Sequence, residues 1–340
     1  MKKNLRALFG NFHTYTSIGM LLRLTQQNIL LPFYHSISDH HLAHISNLYQ
    51  MRSSSLFIKD LEFYLQHYKP ISLHELNQLV ASGEKPAKPV FHVTFDDGLR
   101  ELYTVVAPIL EQKGIPATIF INTGFIDNTQ LFYRYKVSLL VEALQSIKST
   151  QAQKQLADTL GIKPAGKEAI KLQLLQLGYN DQATIHMVAN LLEVDFDAYL
   201  KEKQPYLTSP EIKRLMAKGF TFGSHSIDHP HFNSISFDEQ KRQVNQSFET
   251  MKTLLGIRDK YFSFPFGDDG VSLEFMRWLQ EEANCSLTFG ISGFKSDFSP
   301  THLHRIPMEG TLKEADNLVK SEYLYYMAKA AVKKNTIQRK

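Results

Sequence analysis

Val90-Phe91-His92-Val93-Thr94-Phe95-Asp96-Asp97-Gly98 is the stretch that decides the fold. Its first six residues are a β-branched and aromatic run of the kind that fills a buried strand, and the run stops at two carboxylates and a glycine. A helix follows, with Leu102, Val105, Val106, Ile109 and Leu110 on one stripe and Gly114 in the position of a C-cap. Ala117–Ile121 is the next strand. Strand, helix and strand in this order make the βαβ unit of a parallel sheet.

The pattern extends both ways. Upstream, Ile29–Tyr34 is a short apolar run ending at His35-Ser36, followed by helices opening at Ser55 and at Leu73, and by a linker at Glu84–Pro89. Downstream, residues 134–206 are rich in Leu, Gln, Lys and Ala with helical spacing, far longer than the roughly 2–6 residues of an ordinary loop in such units. They read as a helical insertion. The βα alternation then resumes: a helix at Pro210-Glu211, a strand at Phe220–Ser224 ending at His225, and a capping box at Ser236–Glu239 that opens a helix. A strand at Tyr261–Phe264, a helix at Leu273–Ala283, strands at Leu287–Ile291 and Leu303–Pro307 and a closing helix at Leu312–Ala331 complete the chain. The two flanks of the insertion are expected to form one sheet.

With 340 residues the chain makes one large domain or two ordinary ones. A single cysteine, Cys285, excludes an internal disulfide framework and a thiolate-rich zinc site, so metal ligands would have to be His and carboxylate. A net charge of +4 is too weak a bias to argue for nucleic acid as a partner. No run of 18 apolar residues exists, and no clear export signal is visible. Lys2, Lys3 and Arg6 with Leu5, Leu8, Phe9 and Phe12, then Leu21, Leu22 and Leu24, read as a packed N-terminal helix, with peripheral membrane contact as the alternative. The basic Lys329–Lys340 stretch reads as a solvated tail. A cytoplasmic or membrane-peripheral location is expected, with a periplasmic one as the alternative.

Polar residues gather where strands end, the place where parallel α/β folds carry their sites. His35, Asp96-Asp97, His225 with His229, and Pro265-Phe266-Gly267 all occupy such ends. Adjacent carboxylates cannot face the same way, so one of the Asp pair can bind a cation while the other stays free as a base; a helix N-cap with a first-turn acid is the structural alternative. His225 and His229, four apart, would share a face of one helical turn and reach one metal. One Asp and two His leave coordination positions open, which suits Zn²⁺ or Fe²⁺ in a hydrolase rather than a closed structural site. His92 reads as a hydrogen-bonded core histidine, His231 as a neighbour of the ligands, and Cys285 as a buried apolar residue.

Val93-Thr94-Phe95-Asp96-Asp97-Gly98, Gly223-Ser224-His225-Ser226-Ile227-Asp228-His229 and Phe262-Ser263-Phe264-Pro265-Phe266-Gly267 together resemble the motifs of the polysaccharide deacetylases with the NodB homology domain (carbohydrate esterase family 4). The resemblance spans about residues 31–133 and 207–310. It implies an α/β fold: a distorted (β/α) barrel with the helical insertion, the barrel formed by 29–133 and 207–312, the insertion by 134–206, an N-terminal helical segment by 1–28, and a C-terminal helix and basic tail by 313–340. It implies Asp96 as general base, and Asp97, His225 and His229 as ligands of a divalent metal, zinc first, with cobalt, nickel or iron as alternatives. Pro265 and Phe266 would line the sugar site, the Phe266 N–H facing the oxyanion. Two departures stand out. Ser263 occupies the place of an Arg that contacts the base, and Arg305, in His304-Arg305-Ile306-Pro307, is the expected substitute. No C-terminal Leu-x-His supplies the acid; Tyr34-His35 instead resembles the branch that includes the poly-β-1,6-N-acetylglucosamine deacetylases, which implies His35 as general acid. The implied activity is N-deacetylation of an amino sugar in a glycan or glycolipid, with the insertion as a wall or lid that shapes substrate choice. A catalytically silent glycan-binding protein and an amide hydrolase on a non-sugar substrate are the alternatives.

Overall fold

The structure, a computed structural model, describes residues 16–163 and 166–339. Leu5, Leu8, Phe9 and Phe12 lie outside these described residues. Eight strands form a parallel sheet: β2 (Pro32–Tyr34), β5 (Val93–Phe95), β6 (Ala117–Ile121), β7 (Thr221–Ser224), β8 (Tyr261–Ser263), β9 (Leu287–Gly290), β10 (His302–His304) and β11 (Ile306–Pro307). Their order is β10-β9-β8-β7-β6-β5-β2-β11. The first and last strands of that order are consecutive in the chain, separated by Arg305 alone. Residues 302–307 therefore pair with β9 on one side and β2 on the other, and the sheet curls into a nearly closed barrel. The fold is the distorted (β/α) barrel that the motifs imply.

Three strands expected to be single are divided. Ile29–Tyr34 splits into β1 (Ile29–Leu30) and β2, because Pro32 has no N–H to continue one ladder. Val90–Phe95 splits into β4 (Val90–Phe91) and β5 at His92. The early halves, β1 and β4, join β3 (Lys69–Pro70) in a small separate sheet. Leu303–Pro307 is the third, divided at the barrel seam. His92 itself is a core histidine, held by the Ile71 carbonyl and the Thr118 hydroxyl at 2.8 Å each, and Cys285 is buried.

Helices surround the barrel, and a main core lies between them and its outer face. The motif glycines pack tightly. A Cβ on Gly223 would fall 2.5 Å from the Phe120 ring, and Gly98 takes a φ of 67° with Ile121 against it. The first described helix, Ile18–Thr25, buries Ile18 and Leu21 and exposes Leu24. Between the two barrel halves the described residues form five helices, Tyr133–Leu144, Thr150–Thr159, Lys167–Leu174, Gln182–Leu191 and Phe196–Lys203, which share a second core with Ile45, Leu99, Phe125 and Tyr206. Ser236 caps the helix at Phe237–Thr250, but the box is half made. The Glu239 carboxylate is taken by Arg242 and Gln243 and cannot turn back to the cap.

A buried ion pair ties the start of the helix Ser54–His67 to the segment after β11. Arg52 donates to Asp60 at 3.0 Å and to the carbonyls of Met308 and Lys313, and Asp60 accepts from Tyr34 and from the Ala315 amide. Both side chains are fully buried, so removal of one partner strands the other's charge. Arg52→Ala is expected to lower the unfolding free energy by about 3–5 kcal/mol, read as a reduced urea midpoint.

Candidate active site

The site is built at the carboxyl ends of the strands. The Asp96 amide continues the barrel ladder to the Tyr34 carbonyl at 2.9 Å. Asp97 then takes a left-handed backbone, φ 70°, which turns the two carboxylates apart. Asp96 faces Arg305; Asp97 faces the histidines.

Arg305 grips Asp96 with both ends of its fork, at 2.8 and 2.7 Å. The same guanidinium donates to Thr94 and, at 2.6 Å, to Ser263. It is fully buried and stacks over Phe33 at 4.4 Å. Burial alone would raise the Asp96 pKa, but the charge of Arg305 and its paired hydrogen bonds bring it below the ordinary value. Asp96 is thus ionised while buried. Ser263, in the place of the absent Arg, is the small polar neighbour that leaves room for Arg305.

His225 and His229 do not share a helical turn. They sit on an irregular loop after β7, with Ser226 and His229 left-handed at φ 72° and 63°. Hydrogen bonds fix that loop. Asn122 donates to the His225 carbonyl, the Thr123 and Gly124 amides to the carbonyls of Ser226 and Ile227, and Gln243 accepts from the Ile227 amide. His225 gives its Nδ1 proton to the Ser263 carbonyl at 2.8 Å, which leaves Nε2 as a lone pair. That Nε2 lies 3.6 Å from Asp97 Oδ1, and the His229 Nε2 lies 3.3 Å from it. Burial lowers the His225 pKa to about 4, against the pull of Asp96, so the ring is neutral and able to ligate. One donor atom from each of Asp97, His225 and His229 falls within 4.8 Å of the others. Asp97 Oδ1 is buried with no hydrogen-bond donor. An orphaned carboxylate oxygen facing two imidazole Nε2 atoms fits a divalent cation.

Two participants were not read from the sequence. Tyr135, on the first helix of the insertion, donates to Asp97 Oδ2 at 2.9 Å and so fixes which oxygen stays free. Glu309, just after β11, accepts from the amides of His35 and Ser36 and meets His35 Nδ1 at 2.5 Å. Burial works against a charged His35, but the Glu309 carboxylate outweighs it and pushes the pKa to about 9, leaving Nε2 as the outward donor. Partners 274 and 38 residues away give no local signal in the sequence. Pro265 is buried and makes the turn. Phe266 stands exposed on it, left-handed at φ 57°, stacked on His231 at 3.7 Å and 4.4 Å from the His229 ring. Phe132 and Tyr133 flank the same ring, so the insertion borders the site.

The family model for polysaccharide deacetylases matches residues 83–159 and 172–283, more than half of the sequence, and the chain belongs to that family. Among solved structures, the chain is similar in fold to the Streptococcus pyogenes deacetylase PplD, at 18% identity and a TM-score of 0.55 over 86% of this chain and 97% of that one. It is also similar to IcaB from Ammonifex degensii, at 13% identity and a TM-score of 0.54 over 87% and 96%. A third is the de-N-acetylase from Aggregatibacter actinomycetemcomitans, at 13% identity and a TM-score of 0.51 over 82% and 94%. No curated protein sequence matches the chain.

The contact with Glu309 raises the His35 pKa above its ordinary value of about 6.5, so it contributes stability that is present below that pH and lost as pH rises through about 9. In Glu309→Gln the His35 titration, followed by NMR, should fall from about 9 to about 6.5 or lower, because the burial penalty stays while its main opponent is gone.

Proposed function

We propose that this deacetylase is metal-dependent and removes acetyl groups from an N-acetylated amino sugar in a polysaccharide or glycolipid. The observation that carries the reading is the pairing of an ionised, Arg-held Asp96 with the three inward donors of Asp97, His225 and His229. Those three would hold the metal, zinc first, with cobalt, nickel or iron as alternatives. When bound, it supplies Lewis-acid polarisation of the acetamide and acidifies water. Asp96 takes the proton of the attacking water, since Arg305 keeps it ionised while its Oδ2 remains beside His225 and Ser263. The Phe266 turn offers its backbone N–H to the developing oxyanion. His35, charged and aimed by Glu309, returns a proton to the leaving amine. Acetate and a free amino sugar leave.

Tyr34-His35 supports placing the chain with the branch whose acid lies near the N-terminus. Tyr34 is buried against Asp60 and Tyr64, which anchors the strand end and presents His35. The silent glycan-binding alternative rests on the missing Arg, and Arg305, between β10 and β11, supports the catalytic reading instead. Substrate choice is assigned to the insertion: Tyr133, Lys136, Tyr179 and Asp228 line a cleft of about 420 Å³ between it and the His229 loop. A membrane-peripheral location goes with this proposal, supported by Met20 and Leu24 exposed on the first described helix. No helix of the described residues is long and apolar enough to cross a membrane.

Acetate release from N-acetylglucosamine oligomers after zinc or cobalt loading tests the function. Asp96→Asn should lower kcat/KM by about 10²–10⁴ with metal content unchanged. No release from any acetylated glycan by the loaded wild type would overturn the reading. Tyr135→Phe should weaken metal affinity about 10-fold or more, measured by competition with a chelating dye.

A further inference from the structure

A second cluster of buried titratable groups lies apart from the three proposed ligands. Asp268 follows the Phe266 turn, Asp297 lies on the loop after β9, and His302 and His304 project from β10 on one face. One donor atom from each comes within 4.8 Å of the others. These are metal-ligand residue types, but the point on which they converge is taken. The Arg339 Nη2 donates to the carboxylates of Asp268 and Asp297, the latter at 2.7 Å, and lies 3.2 Å from His302 Nε2. His304 spends both ring nitrogens, accepting from the Ser292 amide at Nδ1 and contacting Asp297 at 3.0 Å through Nε2. The cluster's cation is therefore a guanidinium carried by the chain's own tail.

Residues 331–334, 336 and 338 of that tail are exposed, as a solvated tail would be, but its end is pinned. After the closing helix, Ala315–Ala331, the chain lays a bridge against Ser296, whose amide donates to the Asn335 carbonyl at 3.0 Å and whose carbonyl accepts from the Ile337 amide at 2.9 Å. The bridge brings in Arg339, whose side chain is 3% exposed. Besides the fork on Asp297, with Nε at 2.8 Å, it donates to the Asp268 carbonyl at 3.1 Å. Two borders of the site meet at this knot. Asp268 ends the Pro265-Phe266-Gly267 turn, and His304 is the residue before Arg305, the partner of Asp96.

We propose that Arg339 is a positioning residue for the deacetylation site: the C-terminal strap uses its guanidinium to fasten the Phe266 turn to the Asp297 loop and to β10, and so holds the wall on which the sugar rests. This rests on reading Phe266 as part of the substrate wall. Without the guanidinium, two buried carboxylates face each other with only imidazoles between them, and the turn is released.

The test compares wild type, Arg339→Gly and Arg339→Lys in the full chain. In Arg339→Gly, KM for an N-acetylglucosamine oligomer should rise about tenfold with kcat changed about twofold or less, the split expected when binding rather than chemistry is lost. Lysine, lacking the fork, should restore little, whereas millimolar guanidinium ion should restore KM in Arg339→Gly. Hydrogen exchange at amides 266–271 should quicken in Arg339→Gly and slow again with guanidinium. Unchanged KM and unchanged exchange in folded Arg339→Gly would overturn the proposal. So would a second equivalent of zinc in the wild type that Asp297→Asn removes. If wild type releases no acetate, the functional reading fails by itself, and the exchange measurement still decides whether Arg339 fastens the turn.

Discussion

One buried guanidinium joins the architecture to the chemistry. Arg305 is the single residue between β10 and β11, the strands that pair with the two ends of the sheet, so the chain closes its barrel around this side chain. Closure points the guanidinium into the barrel mouth, where it meets Asp96 as a two-pronged pair and stacks on Phe33. The pair has consequences in both directions. Asp96 can be ionised and buried only because the fork compensates it, and Arg305 can be buried only because Asp96, Thr94 and Ser263 accept its hydrogen bonds. The cation that the family resemblance would place at Ser263 is carried here by the seam.

The same economy of long-range partners governs the rest of the site. Each side chain at the mouth is held by a residue from a different part of the chain: His35 by Glu309, Asp97 by Tyr135, the His225 loop by Asn122 and Gln243. Asp97, Ser226, His229 and Phe266 adopt left-handed backbone conformations that cost of order 1–3 kcal/mol each where no glycine occupies them. Such conformations persist when surrounding bonds over-determine them, and these partners supply that determination. Tyr135 also ties the helical insertion directly to the site rather than leaving it a separate appendage.

Much of this was legible in residues 90–121, because a βαβ unit announces itself through local periodicity and a C-capping glycine. The strand-end positions of His35, Asp96, Asp97, His225 and His229 were legible for the same reason. Three kinds of information were not local. The shared helical turn for His225 and His229 was a natural inference from their spacing, yet the loop converges them through left-handed residues that spacing does not encode. Glu309, Tyr135 and Arg339 act on partners 274, 38 and 42 to 71 residues away. The barrel seam at Arg305 depends on which strands are neighbours, a fact of topology rather than of any one segment. The family resemblance pointed to Arg305 beside Asp96, and the seam supplies the reason it lies there.

The measurement that bears most directly on this account is anomalous diffraction from crystals grown with zinc, collected on both sides of the metal's absorption edge. The account predicts one strong peak within coordination distance of Asp97, His225 and His229, with Asp96 held by Arg305 beside it. A crystal with no peak there, or with its only peak among Asp268, Asp297, His302 and His304, would contradict it.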